Sequence, residues 1–227
     1  MIARTKLAER SLPNYTHSEE MMNMVTHIVG GALGIAALIL CLFRAAANHN
    51  IYGIVASAIY GASMISTFTV SSVYHGLKLN YAKKVMQVID HCTINFLIAG
   101  TYTVVVLSAI RPIYPSLGWG LFYFEWILAI IAATLTAIDL KKYDTFSMIC
   151  YIGMGWAVIP FAKQTMVALP APGFRLLLWC GSAYTIGAGL YGIGSRKKWM
   201  HSVFHIFVVL GALLQLLSVL LYALLLS

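Results

Sequence analysis

Seven long apolar segments, separated by short polar connections, run along this chain of 227 residues. They span residues 21–43, 52–73, 85–110, 119–138, 145–161, 174–193 and 200–226. A helix needs roughly 20 residues to cross the hydrocarbon core of a bilayer. The fifth segment is short and ends at Pro160, and the last is long enough that it should tilt or protrude. The pattern predicts an all-α integral membrane protein with seven transmembrane helices.

The composition agrees with a chain that has little surface in water. It is 60% hydrophobic and only 10% charged, whereas a soluble domain carries about 25% charged residues. Because the connections are short, we expect a short N-terminal segment (residues 1–20) followed by a single seven-helix domain (residues 21–227). The expected location is the plasma membrane, as a multi-pass protein.

The charge pattern predicts the orientation. The net charge is +8, but the basic residues lie in short clusters without an aromatic-interleaved basic face, so nucleic acid is excluded as a partner. Eleven basic residues lie in the N-terminal segment or the second, fourth and sixth connections, namely Arg4, Lys6, Arg10, Lys78, Lys83, Lys84, Lys141, Lys142, Arg196, Lys197 and Lys198. The other side carries four, Arg44, Arg111, Lys163 and Arg175. Since basic residues favour the inside, we predict a cytoplasmic N-terminus and an extracytoplasmic C-terminus.

Four ionisable residues lie within the apolar segments, where such side chains are costly and usually mark a functional site. His75 closes the second segment, and Asp90 lies just inside the third. His201 and His205 lie just inside the last and, being four residues apart, share one helix face. The predicted topology places all four near the inner leaflet. Two imidazoles from one helix, a third from another and a carboxylate indicate a zinc site with a bound water. Alone, His201 is equally consistent with an interfacial position.

Polar residues of the first two segments reach the same depth. Glu20, Asn23 and His27 are separated by three and four positions, so they share one face of the first helix. Ser71 lies four residues before His75 and shares a face with it. These residues are therefore candidates to line the same site.

Other polar residues favour structural roles. Thr16 and Glu19 fit a capping box at the start of the first helix. His91 and Asn95 are expected to form an inter-helix hydrogen-bonding pair. Glu125 lies closer to the outer face, and we expect it to be paired or to lie at the membrane interface.

Three motifs, taken in order, resemble those of a known family. They are Glu20-x-x-Asn23-x-x-x-His27, Ser71-x-x-x-His75 followed by Asp90, and His201-x-x-x-His205. They are similar to the motifs of the hemolysin III branch of the progestin and adipoQ receptor (adiponectin-receptor-like) family. That family belongs to a superfamily of membrane hydrolases that includes the alkaline ceramidases. The resemblance covers the chain from the first span to the seventh.

The resemblance implies a seven-helix fold with the N-terminus inside and a zinc ion held by His75, His201 and His205. It further implies that Asp90 lies near the metal-bound water, that Ser71 supports the site, and that the first motif lies beside it. The receptors of this family carry long soluble N-terminal regions. This chain does not, so the resemblance favours the short bacterial branch. Proteins of that branch are named for haemolysis and are linked to membrane-lipid homeostasis.

The leading hypothesis is a zinc-dependent hydrolase of an amide or ester bond in a lipid, with Asp90 as general base and Ser71 as a hydrogen-bond donor. Two other classes stay open. The chain could be a non-enzymatic membrane sensor or pore-forming protein in which zinc is structural. Alternatively, the histidines could serve transport or ligate haem.

Overall fold

The structure, a computed structural model, describes residues 5–194 and 197–225 and contains seven helices long and apolar enough to cross a membrane. They are α1 (His17–Ala47), α2 (Ile51–Gly76), α3 (Tyr81–Ile113), α4 (Pro115–Ile138), α5 (Leu140–Ala168), α6 (Ala171–Gly194) and α7 (Met200–Leu225). The predicted all-α membrane fold with seven spans is therefore confirmed, while the orientation stays a prediction. Arg4, Arg196 and Leu226 lie outside the described residues.

Side-chain caps explain where several spans begin. The Thr16 hydroxyl accepts from the Glu19 amide at 3.3 Å, and the Glu19 carboxylate accepts from the Thr16 amide at 2.9 Å. This is the capping box that the sequence predicts. Asn50, Asn80 and Asp139 cap α2, α3 and α5 by accepting a hydrogen bond from the third helical amide. The caps set the depth of the polar residues in the first turns.

The central helix is α3, because most of it is buried whereas each other span buries only a minority of its residues. It packs against α2 and α4, while α1 packs against α2 and α7, and α6 packs against α7. Small residues allow the approach of α1 to α2. A Cβ at Gly30 would overlap the ring of Phe68, and one at Gly34 would lie 3.1 Å from the backbone nitrogen of Ile65. This approach brings the polar face of α1 against the end of α2.

The fifth span is longer than the sequence predicts, but its backbone is irregular. An α-helix over Leu140–Gly155 is followed by a turn, a 3₁₀ turn over Ile159–Phe161 and a short helix over Ala162–Ala168. Pro160, which lacks a backbone donor, lies in this break. The hydroxyl of Tyr102 in α3 donates to the carbonyl of Gly155 at 2.9 Å, so the freed carbonyl is satisfied. Irregular backbone at membrane depth is tolerated where it is buried or lines a cavity.

The outward faces of the spans are apolar, as a lipid environment requires. Large hydrophobic side chains are exposed on every span, for example Val29, Val55, Ile130, Ile149 and Ile186. Monomeric soluble proteins rarely expose continuous apolar surface on this scale. The polar side chains are instead collected inside the bundle, mainly at one end. We call this the inner end: it is the end at which α1, α3, α5 and α7 begin.

Candidate metal centre and the cavity beside it

Three histidines from two helices meet at the inner end. His75, on the last turn of α2, and His201 and His205, on the first turns of α7, are all buried. One ring nitrogen of each lies within 4.8 Å of those of the other two, and the Nε2 atoms of His201 and His205 are 3.0 Å apart. Nitrogens that share a tetrahedral zinc ion at 2.0–2.1 Å lie roughly 3.3 Å apart. Within residues 5–194 and 197–225, these three side chains are the ones whose donor atoms fit around one ion.

The hydrogen bonding of these rings indicates a cation. His75 Nε2 is buried and has no hydrogen-bond partner among the described residues. Leaving a buried polar atom unpaired costs about 1–3 kcal/mol, and a metal ion would remove that cost. The Nε2 atoms of His201 and His205 are within hydrogen-bonding distance of each other, a separation that a shared cation would also allow. Three neutral imidazoles suit zinc among the common metals.

Two side chains of α1 contact Nδ1 of His75. Its Nδ1 lies 2.6 Å from Oε2 of Glu20, and the side-chain nitrogen of Asn23 lies 3.5 Å from the same Nδ1. Because a carboxylate can only accept, Nδ1 carries the hydrogen and Nε2 keeps its lone pair. A histidine that binds a metal usually donates its other ring N–H to a carboxylate or a carbonyl. His205 differs, because its Nδ1 has no partner in the described part of the chain.

His27 lies beside the three histidines without joining them. Its ring centroid is 3.8 Å from that of His205, and its edge meets Phe68 at 5.0 Å. Its nitrogens do not belong to the group that fits around one ion. The arrangement therefore offers three protein ligands for a metal rather than four.

Asp90 and Ser71 lie on the wall of a cavity that reaches this centre. Both are buried, and the Ser71 hydroxyl is within hydrogen-bonding reach of the Asp90 carboxylate. His201 and His205 line the same cavity. Asp90 is absent from the group of donors that fits around one ion, and it lies instead on the wall of the cavity that His201 and His205 also line.

The cavity is long, mostly apolar and about 150 Å³ in volume. It extends along α7 from His201 to Gln215, a rise of about 21 Å at 1.5 Å per residue. Its apolar wall is built mainly by α3, α5, α6 and α7, and includes Ile94, Leu97, Val105, Met148, Ile152, Leu177 and Val208. Ile159 of α5 and Thr185 of α6 line it and are also exposed. Beside the break in α5, the cavity wall formed by α5 and α6 therefore includes residues that also face the outside.

The N-terminal segment covers the inner end. The Thr5 amide donates to the Asp139 carboxylate at 2.8 Å, which holds the pKa of Asp139 below its usual value. The ring of Tyr15 stacks on that of His201, with centroids 4.7 Å apart and planes at 17°. Burial raises the pKa of Tyr15, so its hydroxyl keeps its proton. Sequence reasoning missed Tyr15, which lies outside the apolar segments and has no helical spacing to mark it.

The predicted pair of His91 and Asn95 is only half correct. His91 does bridge helices, because its Nε2 lies 3.1 Å from the hydroxyl of Tyr191 in α6 while its Nδ1 donates to the Gln87 carbonyl at 2.8 Å. Asn95 is fully buried, and neither of its amide atoms has a partner among the described residues. The spacing of the two residues was correct for a shared face, but it did not show which of them meets a polar neighbour.

The expectation for Glu125 is wrong. Its side chain is fully buried in α4, and neither carboxyl oxygen has a hydrogen-bond partner in the described ranges. It therefore neither pairs nor lies at the interface. It interacts electrostatically with Tyr102 of α3, toward the outer half of the bundle.

Lys83 is a residue that sequence reasoning placed wrongly. It was counted among loop charges, but it lies in the first turn of α3 and is only 2% exposed. Its Nζ lies 2.7 Å from Oε1 of Glu20 and donates to the Leu77 carbonyl at 3.0 Å. A lysine is almost never fully buried unless it is paired. The only sequence signal was its place three residues after Asn80, the helix cap.

Comparisons with known proteins identify the family. A family model described as "Haemolysin-III related" matches residues 15–216, which include every candidate site residue named above. Hemolysin-3 of Bacillus cereus is 34% identical over 206 residues, covering 91% of this chain and 92% of the relative. The Hemolysin-3 homolog of Bacillus subtilis (strain 168) is 32% identical over 208 residues, covering 92% and 96%. No solved structure matches. The chain therefore belongs to the haemolysin-III-related family of membrane proteins.

Proposed function

We propose that this protein is a zinc-dependent membrane hydrolase that cleaves an amide or ester bond of a lipid and acts in membrane-lipid homeostasis. The observation that carries the proposal is the meeting of three buried imidazoles at one end of a long apolar cavity. A buried carboxylate and a hydroxyl, those of Asp90 and Ser71, lie on the wall of that cavity. Intramembrane ionisable groups gathered in this way are costly unless they have a function.

In this proposal His75, His201 and His205 hold the zinc ion. When bound, zinc supplies Lewis-acid activation of a water molecule and of the substrate carbonyl. Structural zinc sites in proteins usually have four protein ligands, whereas catalytic sites usually have three. The donor set here has three members, since His27 does not join it. This count supports a catalytic site over a structural one.

In the proposed reaction, Asp90 transfers the proton and Ser71 positions the Asp90 carboxylate. The Asp90 carboxylate accepts a proton from a water molecule in the cavity and returns it to the leaving amine or alkoxide. The Ser71 hydroxyl, within reach of that carboxylate, holds it in position. Ser71 lies one turn before His75 on α2, so the same helix orients a metal ligand and the base. Apolar walls on either side exclude bulk water, which strengthens these interactions.

The cavity supports a substrate with an acyl chain. Its wall is apolar over most of its length, and in this proposal an acyl chain enters from the bilayer between α5 and α6, where lining residues are also exposed. Ligand pockets usually combine apolar walls with a few convergent polar groups. Here those groups lie at the inner end. A lipid would then place its head group and scissile bond near the histidines and its tail along α7.

The decisive experiment uses Asp90→Asn, a nearly isosteric change of a residue that is not among the proposed ligands. Zinc content and melting temperature should change little, while release of fatty acid from a total lipid extract should fall 10²–10⁴-fold, the usual contribution of a general base. The matched control is Glu125→Gln, another buried acid-to-amide change, at a residue that does not line the cavity, and it should leave hydrolysis unchanged. Full hydrolysis by Asp90→Asn with zinc intact would contradict the mechanism.

The proposal also includes an orientation, in which the inner end faces the cytoplasm. A reporter fused before residue 1 should behave as cytoplasmic, and one fused after residue 227 as extracytoplasmic. The reason is that most basic residues of the connections lie at the inner end, and basic residues favour the cytoplasmic side. The two fusions can be compared with a phosphatase reporter, which is active only outside. An active N-terminal phosphatase fusion would place the histidines near the outer leaflet and overturn this part of the proposal.

The names of the relatives favour a second candidate, a haemolytic membrane protein in which zinc only holds α2 and α7 together. This candidate predicts that dye release from liposomes depends on zinc but is indifferent to Asp90. It also predicts no fatty-acid release in detergent. Measuring both activities on wild type and Asp90→Asn separates the two candidates.

A further inference from the structure

Lys83 is joined to the proposed metal centre by two consecutive short contacts. Its ammonium lies 2.7 Å from Oε1 of Glu20, and the other carboxylate oxygen, Oε2, lies 2.6 Å from His75 Nδ1. The three side chains come from three different helices, α3, α1 and α2. All of them are at least largely buried, so the chain of contacts lies inside the bundle. His75 is the only one of the three that belongs to the group fitting around one ion.

Besides Glu20, the ammonium of Lys83 has two further contacts, both with α2 or its C-cap. Its ammonium donates to the Leu77 carbonyl at 3.0 Å and lies 5.0 Å from the centre of the Tyr74 ring. Leu77 is the C-cap of α2, where carbonyls lack helical partners and a cation is favoured. Lys83 thus ties α1 and the end of α2 to its own helix. Burying a lysine costs several kcal/mol unless it is fully partnered, so its place here calls for an explanation beyond surface charge.

We propose that Lys83 is a positioning residue which, by holding one oxygen of Glu20, fixes the other oxygen on His75 Nδ1 and so keeps Nε2 of His75 available for the metal. The inference rests on the proposed function, because it assigns a role toward the zinc ion. Lys83 touches neither the metal donors nor the cavity. Without it, the Glu20 carboxylate has no second anchor and can rotate away from the imidazole. His75 is then free to adopt the other tautomer, with hydrogen on Nε2.

The test compares Lys83→Met with Lys84→Met, the same change at the neighbouring position. Lys84 lies at the rim, where its ammonium contacts the Ala8 carbonyl. Zinc affinity, measured by competition with a chelator, should fall about tenfold in Lys83→Met, the lower end for residues behind a metal ligand. Lys84→Met should keep the wild-type affinity. Affinity within twofold of wild type in Lys83→Met would overturn the proposal.

A double-mutant cycle separates positioning from general damage. If Lys83 acts through Glu20, adding Lys83→Met to Glu20→Gln should weaken zinc binding no further. Losses that add would mean that Lys83 acts independently, against the proposal. The double variant also removes both charges, so it remains informative if Lys83→Met alone leaves an unpaired buried carboxylate and fails to fold.

A readout without metal distinguishes this proposal from the function on which it rests. In zinc-free protein labelled with ¹⁵N-histidine, His75 should carry its hydrogen on Nδ1 in wild type, and the Nε2–H tautomer should appear in Lys83→Met. If wild type binds no zinc, the proposed function fails, and the tautomer alone then decides the positioning role. An unchanged His75 tautomer in Lys83→Met would refute that role whatever the metal content.

Discussion

Two glutamates in the spans of this membrane protein, the largely buried Glu20 of α1 and the fully buried Glu125 of α4, have opposite surroundings. Glu20, at the inner end, has one carboxylate oxygen on Lys83 at 2.7 Å and the other on His75 at 2.6 Å. Glu125, in α4, is fully buried, and neither oxygen has a partner within the described residues. Glu20 lies in the first turn of α1, just before its apolar run, whereas Glu125 interrupts the apolar run of α4. Burial of an acid in a membrane is therefore insufficient to mark a site, whereas convergence of partners from several helices does mark one.

The same contrast extends to the regions around them. At the inner end, α1, α2, α3 and α7 contribute polar side chains that touch one another across long sequence separations. Leu121 and Ala129, which lie one turn from Glu125 on either side in α4, are apolar and buried, and neither carboxyl oxygen of Glu125 has a hydrogen-bond partner among the described residues. We therefore expect substitutions at the inner end to change chemistry and substitutions at Glu125 to change little.

The largest effect should come from removing a proposed ligand. His205→Ala leaves two imidazoles, too few to hold zinc tightly, so purified protein should lose most of its metal. The matched control is His91→Ala, a half-buried histidine on the cavity wall, whose ring is hydrogen-bonded to Gln87 and Tyr191. Elemental analysis should find about one zinc per chain in the control. Full occupancy in His205→Ala would remove it from the ligand set.

A smaller effect should follow when the two glutamates are changed identically. Glu20→Gln keeps the shape but replaces an acceptor oxygen with an amide, so the support behind His75 is lost and zinc affinity should fall 10–100-fold. Glu125→Gln should leave zinc affinity unchanged, because nothing at the inner end depends on it. Equal losses in the two variants, measured by chelator competition, would erase the distinction between the two regions.

Much of this arrangement could be predicted from the sequence because depth in a membrane follows from position along a span. The apolar lengths predicted the seven helices, and the topology predicted that His75 would meet His201 and His205 at one level. The capping box at Thr16 followed from local spacing alone. These inferences need only the helical repeat and the thickness of the bilayer.

What could not be predicted depends on how each helix is rotated and which side chains meet. The partner of His91 is Tyr191, one hundred positions away, and no spacing indicates it. Lys83 looked like a loop charge because its burial arises only when the ends of α1 and α2 close around it. Glu125 was expected to be paired or to lie at the interface because it is near the outer end of its span, yet the packing of α4 buries it with no hydrogen-bond partner among the described residues.

X-ray absorption at the zinc edge of purified wild-type protein can show whether the three histidines form an open zinc centre. We expect only nitrogen or oxygen ligands at roughly 2.0–2.1 Å, with the scattering of three imidazoles and one lighter ligand. A fourth imidazole would indicate a closed structural site that includes His27. Sulfur at roughly 2.3 Å, or no bound zinc, would contradict the assignment of His75, His201 and His205.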